Sequence, residues 1–182
     1  MRKMVMVAVW TLAVCALSFG STQPASAQVA QPQVSNKYGL SLAPVPLNLK
    51  GKNKGKVALG SYLVNAIGGC NDCHTSPPYV SGGNPFLGQP AKINSSDYLG
   101  GGVCFGPIVS LDITPDSNGL PAGLTLSQFK TVLKTGINPT DGTILQVMPW
   151  PVYSNMQDSD LSAIYAYLTA IPPVPASANT CL

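Results

Sequence analysis

Cys70-Asn71-Asp72-Cys73-His74 is the most informative segment of the chain, because it places two cysteines three positions apart and the chain's only histidine directly after them. Cys-x-x-Cys-His is the pattern at which c-type haem is attached. Each thiol can add to one vinyl group of the porphyrin, and the imidazole that follows can bind the iron. The segment therefore predicts one covalently bound haem c, attached through Cys70 and Cys73, with His74 as an axial ligand of the iron.

Three other interpretations of this motif fit the sequence less well. A thioredoxin-like redox pair is typical of a strand-helix-strand context, whereas this motif follows a helical pattern and opens a stretch rich in Gly and Pro. A structural zinc site would need Cys104 and Cys181 as further ligands, but these two do not form a second close pair. The third alternative is an accidental disulfide motif. The form of the motif and the export signal described below together favour haem.

The second axial position of the iron can be argued by elimination. No other histidine exists, and after removal of the N-terminal signal only Met148 and Met156 remain to supply a thioether ligand. Pro149 disfavours helical backbone at Met148, and an extended segment can hold a side chain across a porphyrin face. Met156 lies just before a predicted helix, where a packing role suits it. We therefore predict Met148 as the second ligand, with Met156 as the alternative.

Residues 1–27 have the three-part form of a secretory signal peptide. Two basic residues precede an apolar run from Met4 to about Gly20, and a polar segment that ends Ala25-Ser26-Ala27 follows the run. An uncleaved membrane anchor is the alternative, but the run is shorter than the roughly 20 residues that span a bilayer. The pattern predicts cleavage after Ala27 and a periplasmic location.

The remaining chain divides into an arm and one domain. Residues 28–55 are rich in Pro, Gly, Asn and Lys without a sustained period, which predicts an extended arm laid on or near the domain. Residues 56–182 form the predicted domain. Apolar spacing and end signals predict three helices in it, over 56–67, 126–135 and 158–171. A long Gly- and Pro-rich loop over 75–124 separates the first two helices, and a large buried cofactor would organise such a loop.

Five motifs between Val57 and Pro173 are specific in combination: Gly60-Ser61-Tyr62-Leu63-Val64, Gly69 through Thr75, Ile113-Thr114-Pro115-Asp116, Gln146-Val147-Met148-Pro149-Trp150, and Asp160-Leu161 through Tyr165-Ala166-Tyr167-Leu168. Together they resemble the class I cytochrome c family, and most of all the domains found with periplasmic dehydrogenases. The resemblance implies an all-α cytochrome c fold in which the first and last helices of the domain cross at Gly60, with Tyr62, Tyr165 and Leu168 packing there. It also implies that Met148 is the second axial ligand.

These features predict a monohaem, His/Met-ligated electron carrier with no substrate chemistry of its own. Its expected partners are redox proteins, either a periplasmic dehydrogenase, in which it would be the cytochrome subunit, or a terminal oxidase. The alternative is a haem enzyme or gas-binding protein with a displaceable distal ligand, and a zinc-stabilised binding module is a third possibility. A net charge of +3, with lysines clustered only at 50, 52, 54 and 56, disfavours nucleic-acid binding.

Two further groups of residues each have two possible interpretations. Cys104 and Cys181 would form a disulfide in an oxidising compartment if the fold brings them together, and otherwise they are free or intermolecular thiols. The side chains of Tyr79, Tyr153 and Trp150 either donate hydrogen bonds to haem propionates, because the chain has no Arg after residue 2, or belong to ordinary core packing.

Overall fold

The computed structural model describes residues 34–175 and residue 181. The predicted signal peptide and the first part of the predicted arm lie outside these residues. The described part contains six α-helices: α1 (Asn36–Ser41), α2 (Lys54–Tyr62), α3 (Cys70–His74), α4 (Leu126–Thr135), α5 (Trp150–Tyr153) and α6 (Asp158–Leu168). Two short strands, β1 (Cys104–Phe105) and β2 (Ile108–Val109), form an antiparallel hairpin. None of the helices described is long and apolar enough to cross a membrane.

The first predicted helix of the domain is present, but it changes its winding before it reaches the cysteines. Asn53 caps α2 by accepting a hydrogen bond from the Lys56 N–H at 3.0 Å. After Tyr62 the chain continues as a π-helical turn, Leu63–Ile67. Gly69 then takes a left-handed conformation, with φ of 59°, and α3 begins at Cys70. A single extra-wide turn therefore separates the packed helix from the Cys-x-x-Cys-His motif.

The crossing of the first and last helices that the resemblance implies is present between α2 and α6. A side chain on Gly60 would collide with the backbone carbonyl of Ala163 and with Tyr167, so only glycine permits this approach. Tyr167 occupies the crossing, whereas the Tyr165 ring packs against Phe129 of α4 at 5.5 Å between centroids. The prediction that Tyr165 packs at the crossing is thus corrected, because residues 165 and 167 lie on different faces of α6.

Helix α4 has the predicted bounds, since both of its ends carry strong local signals. Thr125 and Gln128 form the capping box, in which each side chain bonds the other residue's backbone N–H. Gly136 ends the helix in a left-handed conformation, with φ of 70°. Phe129 and Leu133 of α4 are buried in the same core as Leu161 and Leu168 of α6. The helix therefore packs its predicted apolar face against α6.

The arm predicted as extended over 28–55 contains helix α1 in its described part. Ser35 caps this helix by accepting a hydrogen bond from the Tyr38 N–H. Gly39 lies so close to Ala58 of α2 that any side chain would strike the Ala58 backbone. Val45 is buried in the core. The arm therefore lies on the domain as predicted, but residues 36–41 are helical rather than extended, because the Gly39 contact with α2 compensates for a helix too short to be stable alone.

The long predicted loop is present between α3 and α4, and it supplies buried residues as well as the hairpin. Tyr98 and Leu99 are among the most buried side chains of the described residues. The Leu99 N–H donates to the Thr75 hydroxyl at 3.0 Å, and the Gly101 N–H donates to the His74 carbonyl at 2.7 Å. The loop is thus attached to the end of α3 by its own backbone, and it passes beside the Cys-x-x-Cys-His motif.

Candidate haem site

An apolar cavity of about 490 Å³ lies beside α3, within the size range of small-molecule and cofactor pockets. Its walls come from α3, the β1–β2 hairpin, α4, the segment 138–149 and α6. The four predicted site residues all line it: Cys70, Cys73, His74 and Met148. The fold therefore brings residues 70–74 and residue 148, which lie on opposite sides of α4 in the sequence, to one apolar space.

The two cysteines of the motif lie one helical turn apart on α3, so both thiols face the cavity. Neither of them forms a disulfide. Burial raises the pKa of the Cys70 thiol to about 12, and burial together with the charge of Asp72 raises the pKa of Cys73. A redox-active Cys-x-x-Cys pair needs a lowered thiol pKa. The surroundings of Cys70 and Cys73 are therefore unlike those of the thioredoxin-like alternative.

The His74 ring is held by one hydrogen bond, between its Nδ1 and the backbone carbonyl of Leu111 at 2.7 Å. A carbonyl accepts, so Nδ1 carries the proton and Nε2 of the neutral ring keeps its lone pair. Burial lowers the pKa of His74, which favours this neutral form. Histidines that bind metals are commonly oriented by such a bond from the other ring nitrogen. The hydrogen bond thus leaves Nε2 of His74 available as a metal ligand.

Met148 lies outside the helices and strands, as the following proline predicts. The Met148 carbonyl accepts a hydrogen bond from the Trp150 N–H at 2.7 Å, and the Trp150 ring N–H donates to Leu145 at 3.2 Å. A side chain on Gly136 would collide with the Trp150 ring. Trp150 therefore fixes the segment that carries Met148 against the end of α4.

Met156 lines the same cavity as Met148, and both side chains are partly buried. The Met156 carbonyl accepts a hydrogen bond from Lys134, which also donates to Ser154 at 3.2 Å. Lys134 thereby ties the turn after α5 to α4. The position of the two methionines in the lining does not by itself select between them as iron ligands.

The candidate donors to haem propionates each have an acceptor within the protein. Trp150 donates to Leu145, as described above, and the Tyr79 hydroxyl donates to the Asp72 carboxylate at 2.7 Å. The Tyr153 hydroxyl donates to the Gly68 carbonyl at 3.0 Å. Tyr153 also lines the cavity. Its bond joins the segment after Met148 to the segment before Cys70, so these hydrogen bonds favour the packing interpretation.

Two features of the site were not foreseen from the sequence. The Leu111 carbonyl is a backbone group of an irregular loop, and no side-chain pattern identifies such an acceptor. The apolar hairpin residues Phe105, Ile108 and Val109 line the cavity, although the two strands together contain only four residues.

The Cys104–Cys181 disulfide is present, and it joins this hairpin to the end of the chain. Of the two alternatives, the structure therefore supports the disulfide.

The residues around the cavity fit haem c. Two thiols one turn apart, a neutral imidazole with a free Nε2 and a thioether in an apolar space are the donors that a covalently bound, six-coordinate haem requires. The apolar lining suits the porphyrin face, and the oriented His74 supplies the ligand geometry that a metal site needs from its surroundings. These are the donors by which a c-type cytochrome holds its haem.

No family model matches the chain. Curated relatives do match it. The chain is 33% identical over 128 residues to the gluconate 2-dehydrogenase cytochrome c subunit of Pantoea cypripedii, and the aligned region covers 70% of this chain and 26% of that protein. It is 29% identical to the fructose dehydrogenase cytochrome subunit of Gluconobacter japonicus, over 66% of this chain and 22% of that protein. It is 30% identical to the cytochrome c subunit of the quinone alcohol dehydrogenase of Gluconobacter oxydans, over 63% of this chain and 21% of that protein.

The chain spans about a quarter of the length of these curated relatives, or somewhat less. The predicted resemblance is confirmed: the chain is related to the cytochrome c subunits of dehydrogenases. A more distant relative, 24% identical over 106 residues, is a dihaem c-type cytochrome of Cereibacter sphaeroides. The present chain has a single histidine and a single Cys-x-x-Cys-His motif.

Proposed function

We propose that this chain is a periplasmic monohaem c-type cytochrome that carries single electrons between redox proteins. The observation that carries the proposal is that Cys70, Cys73, His74 and Met148 all line one apolar cavity. Bound haem would supply reversible one-electron chemistry, and the protein would supply attachment, ligands and an apolar surrounding. With a single Cys-x-x-Cys-His motif, one haem is expected.

Each residue has a definite role in this proposal. Cys70 and Cys73 would hold the porphyrin through thioether bonds, and His74 would bind the iron through Nε2 while the Leu111 carbonyl holds Nδ1. Met148 would supply the second ligand to the iron. A thioether ligand and an apolar cavity both favour a relatively high reduction potential, and an iron with both axial positions filled leaves no place for a substrate. We therefore assign no catalytic role to the described residues around the cavity.

The proposed partners are redox proteins, with a periplasmic dehydrogenase as donor or a terminal oxidase as acceptor. The similarity to cytochrome subunits of dehydrogenases supports the dehydrogenase. The proposal includes neither a nucleic acid nor a small-molecule substrate. The described cavity is apolar, and we assign it to the haem because the side chains that would bind the haem line it. In this arrangement the chain acts as an electron-transfer subunit or carrier rather than as an enzyme.

Spectroelectrochemical titration of the purified protein with its haem tests the function. We expect a reversible one-electron transition and poor binding of carbon monoxide by the reduced protein, because Met148 occupies the second axial position. Ready carbon monoxide binding by the reduced wild-type protein would contradict the carrier and favour a haem enzyme or gas-binding protein. A purified protein without haem absorption would contradict both.

A further inference from the structure

The β1–β2 hairpin forms one wall of the cavity, and the wall is apolar. Phe105, Ile108 and Val109 all line the cavity. The hairpin is short, since only the pairs Cys104 with Val109 and Phe105 with Ile108 make up its ladder. An isolated two-stranded hairpin is at best marginally stable in water. The hairpin therefore needs another contact to remain against the cavity.

The base of the hairpin is fixed by the rest of the domain. The Gly101 N–H donates to the His74 carbonyl at 2.7 Å, and the Ile113 N–H donates to the Leu99 carbonyl at 3.0 Å. Inside these anchors, Gly102 donates to Ser110 and Ser110 donates to Val103, each at 2.9 Å. Leu111, whose carbonyl orients His74, lies next to the anchored base. The His74 hydrogen bond thus has support that does not depend on the strands.

The strands have a different support, which is covalent. Cys104 of β1 is bonded to Cys181, 77 positions further along the chain. Before Cys181 the chain passes the hairpin base, where the Val174 N–H donates to the Thr114 hydroxyl at 3.2 Å, and Val174 lies against Gly100. The end of the chain is thereby held at the base by noncovalent contacts and at β1 by the disulfide.

We propose that the Cys104–Cys181 disulfide is a positioning element that holds the apolar hairpin over the cavity and so keeps the reduction potential of the bound haem high. The inference rests on the proposed function and extends it to residues outside the haem-binding motif. Without the disulfide the strands open while the base stays anchored, and water reaches the cavity wall. Exposure to water favours the more highly charged ferric state, so the potential falls.

The test compares the wild-type holoprotein with the double variant Cys104→Ala and Cys181→Ala, which leaves no unpaired thiol to disturb haem attachment. We expect the double variant to have a lower reduction potential than the wild type by direct voltammetry. The charge-transfer absorption between the methionine sulfur and the ferric haem iron should be retained. Amide hydrogen exchange of Ser110 and Gly102 should be at least about tenfold faster, while exchange of Gly101 and Ile113 changes little. An unchanged potential with unchanged exchange at Ser110 would overturn the proposal.

A second pair of variants keeps the test decisive where the double variant does not fold. Phe105→Ser places a hydroxyl in the wall while the disulfide stays intact, and Phe86→Ser makes the same change at a side chain that is 77% exposed and does not line the cavity. Phe105→Ser should lower the potential and Phe86→Ser should not. Equal potentials in both variants would overturn the claim that the hairpin sets the polarity of the cavity. Failure of the proposed function has another signature, a wild-type protein that carries no covalent haem.

Discussion

Met148 and Met156 both line the cavity, so the assignment of the second ligand depends on their neighbours in the chain. Met148 precedes a proline and lies outside regular structure, and Trp150 fixes its backbone. Met156 lies in the turn between α5 and α6, where Lys134 holds its carbonyl. Both methionines thus lie outside the helices, and Met148 is the predicted ligand because Pro149 follows it and because the family resemblance implies a ligand at this position.

Replacement of Met148 shows which of the two methionines binds the iron. In Met148→Ala the charge-transfer absorption between sulfur and ferric iron should vanish and the reduction potential should fall, since thioether ligation stabilises ferrous iron. The reduced variant should bind carbon monoxide readily. Met156→Ala is the matched control, and it should keep the absorption and the potential. Loss of the absorption in Met156→Ala but not in Met148→Ala would reverse the assignment.

Tyr153 joins the two segments that carry the predicted ligands, through its hydrogen bond to the Gly68 carbonyl at 3.0 Å. Tyr153→Phe removes the donor and leaves the carbonyl without this partner, so the free energy of unfolding should fall by about 1 kcal/mol. Tyr38→Phe is the control, because Tyr38 is 52% exposed and its change should have little effect. Denaturant unfolding of both holoprotein variants measures the difference, and equal midpoints would contradict a structural role for the Tyr153 hydroxyl.

The residues that bind the haem in this account were predictable because covalent attachment requires a fixed spacing of Cys and His, and because elimination left only two methionines. The group that orients His74 was not predictable. It is the carbonyl of Leu111, and every residue of the chain has a backbone carbonyl of the same kind. Only the path of the loop beside α3 selects it, and that path depends on contacts between residues far apart in sequence.

At the scale of elements, helix α2 contains two glycines with opposite surroundings. Gly60 faces the Ala163 backbone of α6 with no room for a side chain, whereas the nearest atoms to a side chain on Gly55 are 3.4 Å away. The first glycine is required by packing between helices. The second only adds backbone freedom to the unfolded chain.

Alanine substitution at these two positions should change stability in opposite directions. Gly60→Ala should lower the free energy of unfolding by more than about 2 kcal/mol, because α2 and α6 must separate to admit the methyl group. Gly55→Ala should leave stability unchanged or raise it by up to about 1 kcal/mol. Thermal unfolding of the two holoproteins checks both signs. A Gly60→Ala protein as stable as wild type would contradict the close approach of the two helices.

Elements with strong local end signals were predicted well, and the element held by a distant contact was missed. Helix α4 has both a capping box at Thr125 and a glycine C-cap at Gly136, so the local sequence determines both of its ends. Helix α1 has only six residues, and Gly39 argues against a helix by propensity. Its stability comes from contact with Ala58, which becomes available only after folding. The π-helical turn before Cys70 likewise has no sequence signature of its own.

At the scale of the whole molecule, export is the condition for both the haem attachment and the disulfide in this account. The pattern Ala25-Ser26-Ala27 after a short apolar run predicts that the exported protein begins at Gln28. Intact mass of the protein recovered from the periplasm, corrected for one haem, measures this directly. A mass that retains residues 4–27 would instead show that the protein stays anchored by its N-terminal segment.

We propose that one haem is covalently bound through Cys70 and Cys73, and retention of haem by the denatured chain tests this attachment. The wild-type protein is denatured, extracted with acidified acetone and analysed by mass spectrometry, beside the double variant Cys70→Ser and Cys73→Ser. We expect the wild-type chain to keep the mass of one haem and the double variant to keep none. A wild-type chain that releases its haem, or that never carried one, would contradict the claim.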